Sequence, residues 1–457
     1  IHYSKSPGQT GGRLWSNDQA AEGDKIISST DRQMTSDIQI DGYYAYDAVD
    51  PSIAVDSFGY IHVVWRQLYV DGSWELVYSK SVDNGEHWTG FTNSTDKVVS
   101  HRAGLNGDLK ILEPPAIAVS NLGGMSIIHV VWTEYNVQGG LQEVYYSRSL
   151  NNGETWSGAS ADMRISSNST ASPARTPAIA VAGPSGEHVC VARTQRFPAD
   201  NQDELWVASS HNFGDSWLAE QTVTKLASDG FNAGPPSLAG GQSSLVLAWP
   251  QKFTSSQPAE LLYGYSTDFG ESWSCKNADM RISFPDGQPV QNPSVALSPL
   301  GRAYAAWVEM DQNAYSSMEI HVSWTDNLAV PNLWSGFARD EIISTPDASS
   351  TNVASDAGNV SVAFAFIDGA WRPRAVWDEV NWTSYATSLP GNQLQSVVNA
   401  ENEIIINSPA DCSVPVLQGW NLVSVPMTQD YYDIETVFND EAGDALTVWD
   451  RAMWYDP

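Results

Sequence analysis

The chain has 457 residues, of which 54 are Asp or Glu and 23 are Lys or Arg, so its formal net charge is −31. This charge argues against a nucleic-acid partner, because the phosphate backbone would be repelled. No stretch of the sequence is long and apolar enough to cross a membrane as a helix. The length suffices for one large domain with a smaller segment beside it.

The first residues match the second half of a repeat that recurs further along the chain. Residues 1–6 and 14–16 match its third strand and turn, and residues 24–28 match its fourth strand. Segment 1–50 is therefore predicted to be an N-terminal half-blade with a closing strand. Three partners stay open for it: an upstream half-blade, closure of a ring against residues 350–408, or another molecule, since an unpaired strand edge attracts a partner.

Between residues 51 and 408 a unit of roughly 50–60 residues repeats, a length typical of propeller blades. The units open with a short apolar strand at 51–55, 115–119, 177–181, 236–239, 293–297 and, in a degenerate form, 351–355. A second strand follows at 60–65, 127–132, 188–192, 245–249, 303–307 and 360–366. A third and a fourth strand complete each unit, and no helical periodicity intervenes. Each unit is therefore predicted to be one antiparallel four-stranded blade.

A turn with the pattern Ser-x-Asp/Asn-x-Gly-x-x-Trp, called the boxed turn below, joins the third and fourth strands of four units. Its Gly supplies a positive φ, and its Asp or Asn side chain bonds backbone N–H groups of the same turn. Its Trp covers the turn with apolar area, so the predicted role is structural. The four copies are Ser81, Asp83, Gly85 and Trp88; Ser149, Asn151, Gly153 and Trp156; Ser210, Asn212, Gly214 and Trp217; and Ser266, Asp268, Gly270 and Trp273.

These motifs resemble the Asp-box (BNR) repeats of the sialidase superfamily, and the resemblance extends over residues 1–408. It implies an all-β fold, a β-propeller of six four-stranded blades, with a seven-bladed ring as the alternative. It does not fix an activity, because the same repeats occur in hydrolases, lectin-like modules and structural surface proteins.

The resemblance also implies what a catalytic member would need. A sialidase holds its substrate carboxylate with three arginines, and it uses an acid/base Asp and a Tyr activated by Glu. Arg66, Arg175 and Arg193 are the candidate arginines, and Asp50 is the candidate acid. The family's Arg-Ile-Pro motif ahead of the first blade is absent, and no Tyr nucleophile stands out. The sequence therefore favours a non-catalytic relative, with a sialidase-like glycoside hydrolase as the alternative.

Candidate ligand contacts lie where second strands end and where loops reach one rim of the ring. Three tyrosines in a predicted rim loop could stack on sugar faces, because Tyr gives amphipathic contact area at low entropy cost. Packing over the rim is the other interpretation of these tyrosines. The candidates for ligand binding are Tyr43, Tyr44, Tyr46, Arg66, Glu134, Arg193 and Glu309.

A glutamate opens the third strand of five units, at Glu75, Glu143, Glu204, Glu260 and Glu319. A repeated position inherits one local role, so a hydrogen bond within each blade is the favoured interpretation. A ring of carboxylates that binds Ca²⁺ is the alternative. No cofactor is required by either interpretation.

Several features indicate an extracellular or cell-surface protein. Glycosylation sequons occur at Asn93, Asn168, Asn359 and Asn381. The three cysteines, Cys190, Cys275 and Cys412, form no metal-binding spacing and no even disulfide framework.

The segment 409–457 changes character and resembles the start of a small β module that continues further. The predicted function is a non-catalytic glycan-binding or surface-assembly propeller, with glycans or surface proteins as partners. Self-association through the terminal strands is a further expectation.

Overall fold

The computed structural model describes residues 2–3, 25–26, 39–40, 43–69, 73–85, 87–89, 97–100, 111–136, 141–159, 162–166, 173–197, 202–223, 231–252, 256, 258–276, 280–310, 318–330, 333–335, 341–343, 355–367, 370–381 and 395–401. The predicted segment 409–457, Cys412, Asn93 and Asn168 lie outside the described residues. Within these residues no helix is long and apolar enough to span a membrane.

The described strands form antiparallel sheets in chain order, six of which are called blades one to six. A separate pair joins β1 (His2–Tyr3) to β2 (Lys25–Ile26). Blade one contains β3 (Gln39–Ile40), β4 (Tyr43–Val55), β5 (Ile61–Tyr69), β6 (Trp74–Ser81) and β7 (Lys97–Val98). Blade two contains β8 (Ala116–Leu122), β9 (Met125–Asn136), β10 (Leu141–Ser149) and β11 (Met163–Arg164). Blade three contains β12 (Ala174–Ala182), β13 (His188–Phe197), β14 (Gln202–Ser210) and β15 (Gln221–Thr222).

The last three blades follow the same order. Blade four contains β16 (Ser237–Gly240), β17 (Leu245–Lys252), β18 (Ala259–Ser266) and β19 (Met280–Arg281). Blade five contains β20 (Gln291–Leu297), β21 (Ala303–Met310), β22 (Met318–Thr325) and β23 (Glu341–Ile342), and blade six contains β24 (Ser355–Ile367), β25 (Ala370–Asn381) and β26 (Gln395–Glu401). Short 3-10 turns occupy Ser157–Ala159 and Ser274–Lys276. The predicted all-β propeller fold of antiparallel blades is confirmed.

The prediction for the first strand of the sixth unit is wrong. The sequence predicts a first strand at 351–355, of which residues 351–354 lie outside the described residues, and a second strand at 360–366. Instead β24 packs on β20, β21 and β22 of blade five, as the first strands of blades two to five pack on their predecessors, and β25 is the second strand. The sequence carries a signal for this placement, because Ser361-Val-Ala363 repeats Ser52-Ile-Ala54 and Ser294-Val-Ala296.

The pair β1–β2 has the register of a third and fourth strand. Tyr3 lies opposite Lys25 in this pair, as Tyr78 lies opposite Lys97 in blade one. Most of residues 1–28 lie outside the described residues, and their interpretation as the second half of a blade stays a prediction. The described pairings join these two strands to each other only.

The second strands contribute the largest buried side chains. Trp65, Trp132, Trp249 and Trp307 are at most 1% exposed. Each indole N–H donates to a side chain two residues later, Gln67 at 3.1 Å, Glu134 at 3.1 Å, Gln251 at 2.7 Å and Glu309 at 2.5 Å. A buried indole N–H needs such an acceptor, since an unsatisfied polar group in a core is costly.

The blades are joined by apolar clusters that each span one interface. Between blades one and two, Val64, Leu76 and Tyr78 pack with Ile117 and Trp156. Comparable clusters lie between each later pair of neighbours up to blades five and six. Burial of these faces, at about 25 cal/mol per Å² of apolar area, is what holds successive blades together.

Candidate functional site

The two ends of an antiparallel blade carry different connections. The hairpins between first and second strands and the boxed turns share one end, called the boxed-turn face. The loops between second and third strands, and those from blade to blade, share the other end, called the rim. These two faces are the places where side chains of several blades meet, and they differ in chemistry.

The boxed turns have one hydrogen-bond pattern in four blades. In the first copy Ser81 Oγ accepts from the Gly85 N–H at 2.8 Å and donates to Asp83 Oδ1 at 2.9 Å, while Asp83 Oδ1 also accepts from the His87 N–H at 2.8 Å. The same bonds recur around Ser149, Ser210 and Ser266, with lengths of 2.9 and 2.8 Å for the serine–glycine bond. The hydrogen bonds expected within the boxed turn are therefore present in all four copies.

Two successive residues of each boxed turn have positive φ. The glycines have φ values of 83° at Gly85, 83° at Gly153, 76° at Gly214 and 95° at Gly270. The residues before them, Asn84, Asn152, Phe213 and Phe269, have φ values of 55–59°. Only the glycine was predicted from the sequence, because asparagine tolerates this region but phenylalanine rarely enters it.

The hydrogen bonds of the boxed turns stabilise the ionised form of their aspartates. Hydrogen bonds from the His87 N–H and ring lower the pKa of the exposed Asp83 carboxyl. Burial raises the pKa of Asp268, but hydrogen bonds from Ser272 and Ser266 outweigh it, and the pKa is lowered. Both carboxylates are therefore acceptors committed to their own turns.

A fifth turn in blade five fills the same place with a changed sequence. The Asn327 N–H donates to Thr325 Oγ1 at 3.1 Å, the Ala329 N–H donates to Asn327 Oδ1 at 3.0 Å, and Trp334 is 2% exposed. This turn does not match the boxed pattern in the sequence, because Thr replaces Ser and Gly is absent. The signal present in the sequence was Thr-x-Asn followed by a Trp.

The turns of blades two to five dock on the preceding blade. The Tyr78 ring meets Trp156 edge-on at 5.0 Å, as Tyr146 meets Trp217 at 5.0 Å and Tyr263 meets Trp334 at 5.2 Å. A Cβ at Gly153 would overlap the Tyr78 ring, so glycine is needed for space as well as for its φ of 83°. Trp88, Trp156 and Trp273 are buried as predicted, whereas Trp217 is half-buried.

Basic residues add a second bond across the same interfaces. Lys80 Nζ donates to the Asn152 carbonyl at 2.6 Å and to Glu154 Oε1 at 2.9 Å. In the next interface Arg148 donates to the Phe213 carbonyl at 2.7 Å and to Asp215 at 2.5 Å. Hydrogen bonds between neighbouring blades therefore recur along the boxed-turn face, and this row of bonds is called the belt below.

Two buried histidines lie beneath this belt. His62 Nδ1 is 2.7 Å from the Tyr78 hydroxyl, and its Nε2 is 3.3 Å from Asp56 Oδ2, which also accepts from Ser126 Oγ of blade two. His129 makes the matching contacts with Tyr146 at 2.7 Å and Ser120 at 2.8 Å. Burial lowers the pKa of His62, and burial together with Arg148 lowers the pKa of His129 to about 3.

The rim of blade one holds an ion pair between two predicted site residues. Arg66 donates to Asp50 and, at 2.9 Å, to the Ile111 carbonyl, and its guanidinium lies 5.1 Å from the Trp74 ring centre. The side chains are 16% exposed for Arg66 and 31% for Asp50. The structure therefore brings these two candidates together, with the guanidinium bonded to internal groups.

A strained backbone position recurs along this rim. Asp50, Thr176 and Asn292 each precede a proline of a first strand and have φ values of 54°, 47° and 46°. The register of the first and second strands shifts at these points. A bulge with positive φ redirects the strand at the rim, a placement that is frequent beside functional sites.

The remaining rim contacts join neighbouring blades. Glu113 accepts from Thr133 Oγ1 at 2.8 Å and from the Thr176 N–H at 2.6 Å. Asn292 Nδ2 donates to Asn359 Oδ1 at 3.3 Å, so the sequon at Asn359 lies in a first strand at the rim. Unlike the boxed turns, these contacts use different residue types in each blade.

Three predicted ligand contacts are instead internal. Arg193 occupies the place of the second-strand Trp in blade three, is 0% exposed, donates to Gln195 Oε1 at 2.8 Å and pairs with Glu220 at 2.7 Å. Burial lowers the pKa of Arg193, and Glu220 opposes the shift. Glu134 and Glu309 accept from the core tryptophans and are 7% and 0% exposed. The prediction that these three reach a ligand on the rim is wrong.

The three candidate arginines do not form the set expected of a sialidase. Arg66 is paired with Asp50, and Arg193 is inside blade three. Arg175 is exposed and its Nε donates to Gln142 Oε1. Of the three, only Arg175 presents an exposed side chain at the rim.

Three of the five third-strand glutamates, Glu75, Glu143 and Glu260, make a hydrogen bond within their own blade. Ser100 Oγ donates to Glu75 Oε2 at 2.5 Å and accepts from the Leu76 N–H at 3.0 Å. Ser166 and Ser283 repeat this clamp with Glu143 and Glu260. Burial raises the pKa of Glu143 and of Glu260, although the serine bonds oppose it. Among the described residues no group of three or more His, Cys, Asp or Glu side chains could hold a metal ion.

The predicted tyrosine loop is a strand. Tyr43, Tyr44 and Tyr46 belong to β4, which extends beyond the bulge at Asp50 and pairs with both β3 and β5. Blade one is thereby the only five-stranded sheet among those described.

The sequon Asn381 ends β25. Cys190 and Cys275 are buried free thiols, and burial raises the pKa of Cys190 to about 12.

No family model and no curated protein matches the chain. Among solved structures, the Penicillium chrysogenum α-L-arabinanase complexed with arabinobiose is similar at 14% identity and a TM-score of 0.49, over 78% of this chain and 94% of that chain. The Fusarium graminearum α-L-arabinofuranosidase arb93a in complex with an iminosugar inhibitor is similar at 13% identity and a TM-score of 0.47, over 79% of this chain and 94% of that chain. The leech intramolecular trans-sialidase is similar at 11% identity and a TM-score of 0.45, over 78% of this chain and 68% of that chain. At these values no residue role or activity follows for this chain.

Proposed function

We propose that this chain is an extracellular or cell-surface propeller module that binds carbohydrate at its rim without cleaving it. The observation that supports this most is that two of the candidate arginines are hydrogen-bonded to other groups of the protein. Arg66 is bonded to Asp50 and to a backbone carbonyl, and Arg193 is buried against Gln195 and Glu220. Arginines tied up in this way are poorly placed to hold a substrate carboxylate bidentately.

The binding surface proposed is the rim of blade one. There β4 carries three tyrosines beyond the bulge at Asp50, and the added strand β3 makes this end of the blade larger than its counterparts. Tyrosine rings stack on sugar faces and lose little entropy when they do so. Asp50 follows on the same strand, and its carboxylate, 31% exposed, can accept hydrogen bonds from sugar hydroxyls.

The boxed turns support a relation to Asp-box propellers, because their bonding is the self-contained turn that the resemblance implies. A sialidase-like glycoside hydrolase with its site on the same rim is the alternative function. Glycans or surface proteins are the proposed partners, with no nucleic acid, since the net charge of −31 opposes binding to a polyanion. A Ca²⁺ site and self-association through the terminal strands remain predictions.

The test combines a binding measurement with an activity measurement. The wild-type protein is screened on a glycan array and its best ligand is measured by calorimetry, alongside Tyr44→Ala/Tyr46→Ala. Phe58→Ala is the matched control, because Phe58 is exposed in the same blade but on the boxed-turn face. Binding lost in the tyrosine variant and kept in the control supports the proposal.

Activity is measured with fluorogenic sialosides and arabinofuranosides. No release of fluorophore is expected. Turnover that disappears in Arg66→Ala and in Asp50→Asn, while Phe58→Ala stays active, would establish the hydrolase instead.

A further inference from the structure

The first strand of every blade carries two small residues separated by one residue. In blades one to five the alanines of these pairs pack against the following blade. Small residues let neighbouring first strands approach closely near the axis of the ring. The pairs are Ser52 and Ala54, Ala116 and Ala118, Ala178 and Ala180, Ser237 and Ala239, Ser294 and Ala296, and Ser361 and Ala363.

In two interfaces the serine of this pair also bonds to the next blade. Ser237 Oγ accepts from the Val295 N–H at 3.0 Å, and Ser294 Oγ accepts from the Val362 N–H at 3.0 Å. The residue whose N–H donates to this serine lies between the two small residues of the following first strand. That residue is 6% exposed at Val295 and 8% at Val362, and its counterparts Ile117, Ile179 and Leu238 are 7–9% exposed.

Blade one breaks this pattern on the side where a preceding blade would lie. Ile53, the counterpart of Val295, is 56% exposed, and Val55, the counterpart of Leu297, is 61% exposed. The outer part of the same face is covered, since Val63 and Trp88 are 3% and 6% exposed. The uncovered area is therefore the inner strand of blade one.

Blade six breaks the pattern on its opposite side. Ser361 and Ala363 are both exposed, whereas Ala118, Ala180 and Ala296 are buried. The other side of β24 is packed on blade five through Val360 and Val362. Among the described strands, the apolar first strand of blade one has no predecessor and the small-residue first strand of blade six has no successor. Together they have the two halves of one more interface of the kind that joins the other blades.

We infer that β24 of the same chain covers the inner strand of blade one and closes the ring, with Ser361 Oγ accepting the Ile53 N–H. The contact buries Ile53 and Val55 against Ser361 and Ala363, as the other interfaces bury their counterparts. A second copy of the chain is a poorer occupant, because two molecules of net charge −31 repel one another, whereas β24 is tethered at high effective concentration. This inference does not depend on the proposed carbohydrate binding.

The experiment places one cysteine on each half of the interface, as Ile53→Cys with Ser361→Cys, in a Cys412→Ser background of the full chain. The matched control is Val362→Cys with Ser294→Cys, whose native atoms are bonded at 3.0 Å between blades five and six. Both proteins are treated with dibromobimane, which becomes fluorescent when it joins two thiols. Cross-linked peptides are then identified by mass spectrometry.

The expected result is a link within one chain in both proteins, with yields that agree within about a factor of two. A link in the control but none between residues 53 and 361 overturns the closure. A link between two chains, seen as a dimer on a denaturing gel, overturns the assignment of β24 of the same chain in favour of a second copy.

A second measurement needs no cross-link. Val55→Asp is compared with Leu297→Asp, since the two positions are equivalent and Leu297 is 8% exposed. If the ring closes, both variants lower the melting temperature, because each places a charge in an apolar interface. A melting temperature unchanged by Val55→Asp and lowered by Leu297→Asp contradicts the closure.

Discussion

The boxed-turn face and the rim of this propeller differ in how far their chemistry repeats. On the boxed-turn face the same serine–glycine bond recurs at 2.8–2.9 Å in four blades, and Tyr–Trp contacts of 5.0–5.2 Å recur across three interfaces. On the rim each blade uses different residues at equivalent places, such as Asp50, Thr176 and Asn292. Repeated geometry serves stability in every blade, whereas variation at one end of a rigid scaffold is where binding specificity arises.

Substitution of a boxed-turn tryptophan is expected to cause the largest loss of stability on the boxed-turn face. Trp273→Ala is expected to lower the free energy of unfolding by roughly 3–5 kcal/mol, because a large buried aromatic side chain is removed. Trp88→Ala should behave alike, and Trp217→Ala should cost less because Trp217 is half-buried. Chemical denaturation measures all three, and an equal effect of Trp217→Ala would show that burial does not govern the contribution.

The acceptor of the boxed turn gives a smaller loss. Asp268→Ala removes the acceptor of the Ser272 N–H at 2.9 Å and of the Ser266 hydroxyl at 2.7 Å. The expected cost is about 1–3 kcal/mol, from turn groups left unsatisfied. Asp268→Asn is the control, because asparagine stands at this place in two other copies, and it should retain most of the stability in the same unfolding experiment.

The glycine of the turn separates backbone strain from packing. Gly153→Ala forces a Cβ into a conformation with φ of 83° and into the Tyr78 ring. The left-handed region alone costs an ordinary residue about 1–2 kcal/mol. Restoration of stability in Gly153→Ala/Tyr78→Ala, relative to Tyr78→Ala alone, would show that the clash dominates; an unchanged loss would assign it to φ.

Buried His129 predicts that the stability of the folded protein falls at acidic pH. In the folded protein the pKa of His129 is about 3, and the unfolded chain has the ordinary value near 6.5. The unfolded state therefore binds more protons below pH 6.5, so stability falls as the pH drops, by at most about 1.4 kcal/mol per pH unit from this group. The slope between pH 6.5 and 5 should flatten in His129→Gln, and an unchanged slope would assign the pH dependence to other groups.

Much of the fold was predictable because repeats carry their structure in local sequence. The proline-led strands, the boxed turns and the third-strand glutamates each recur with spacing that fixes a blade. The first strand of blade six was misplaced because its sequence lacks the proline, and only packing on blade five identifies it.

The candidate site was harder to predict than the fold. Sequence alone could not show that Arg193 replaces a core tryptophan, because burial depends on the neighbouring strand and on the partner Glu220. Similarly, Glu134 and Glu309 were expected at the rim, but they accept the indole N–H groups two residues earlier. Asp50 and Arg66 are 16 residues apart in sequence, and the pairing of β4 with β5 brings them together.

The most direct test compares carbohydrate binding and thermal stability in one variant from each face. Trp273→Ala and Tyr44→Ala/Tyr46→Ala are measured by differential scanning calorimetry, and binding to the best array ligand is measured below both melting temperatures. We predict a large loss of stability with retained binding for Trp273→Ala, and lost binding with nearly unchanged stability for the tyrosine variant. Binding that survives the tyrosine changes, or that is lost in folded Trp273→Ala, would contradict the assignment of binding to the rim.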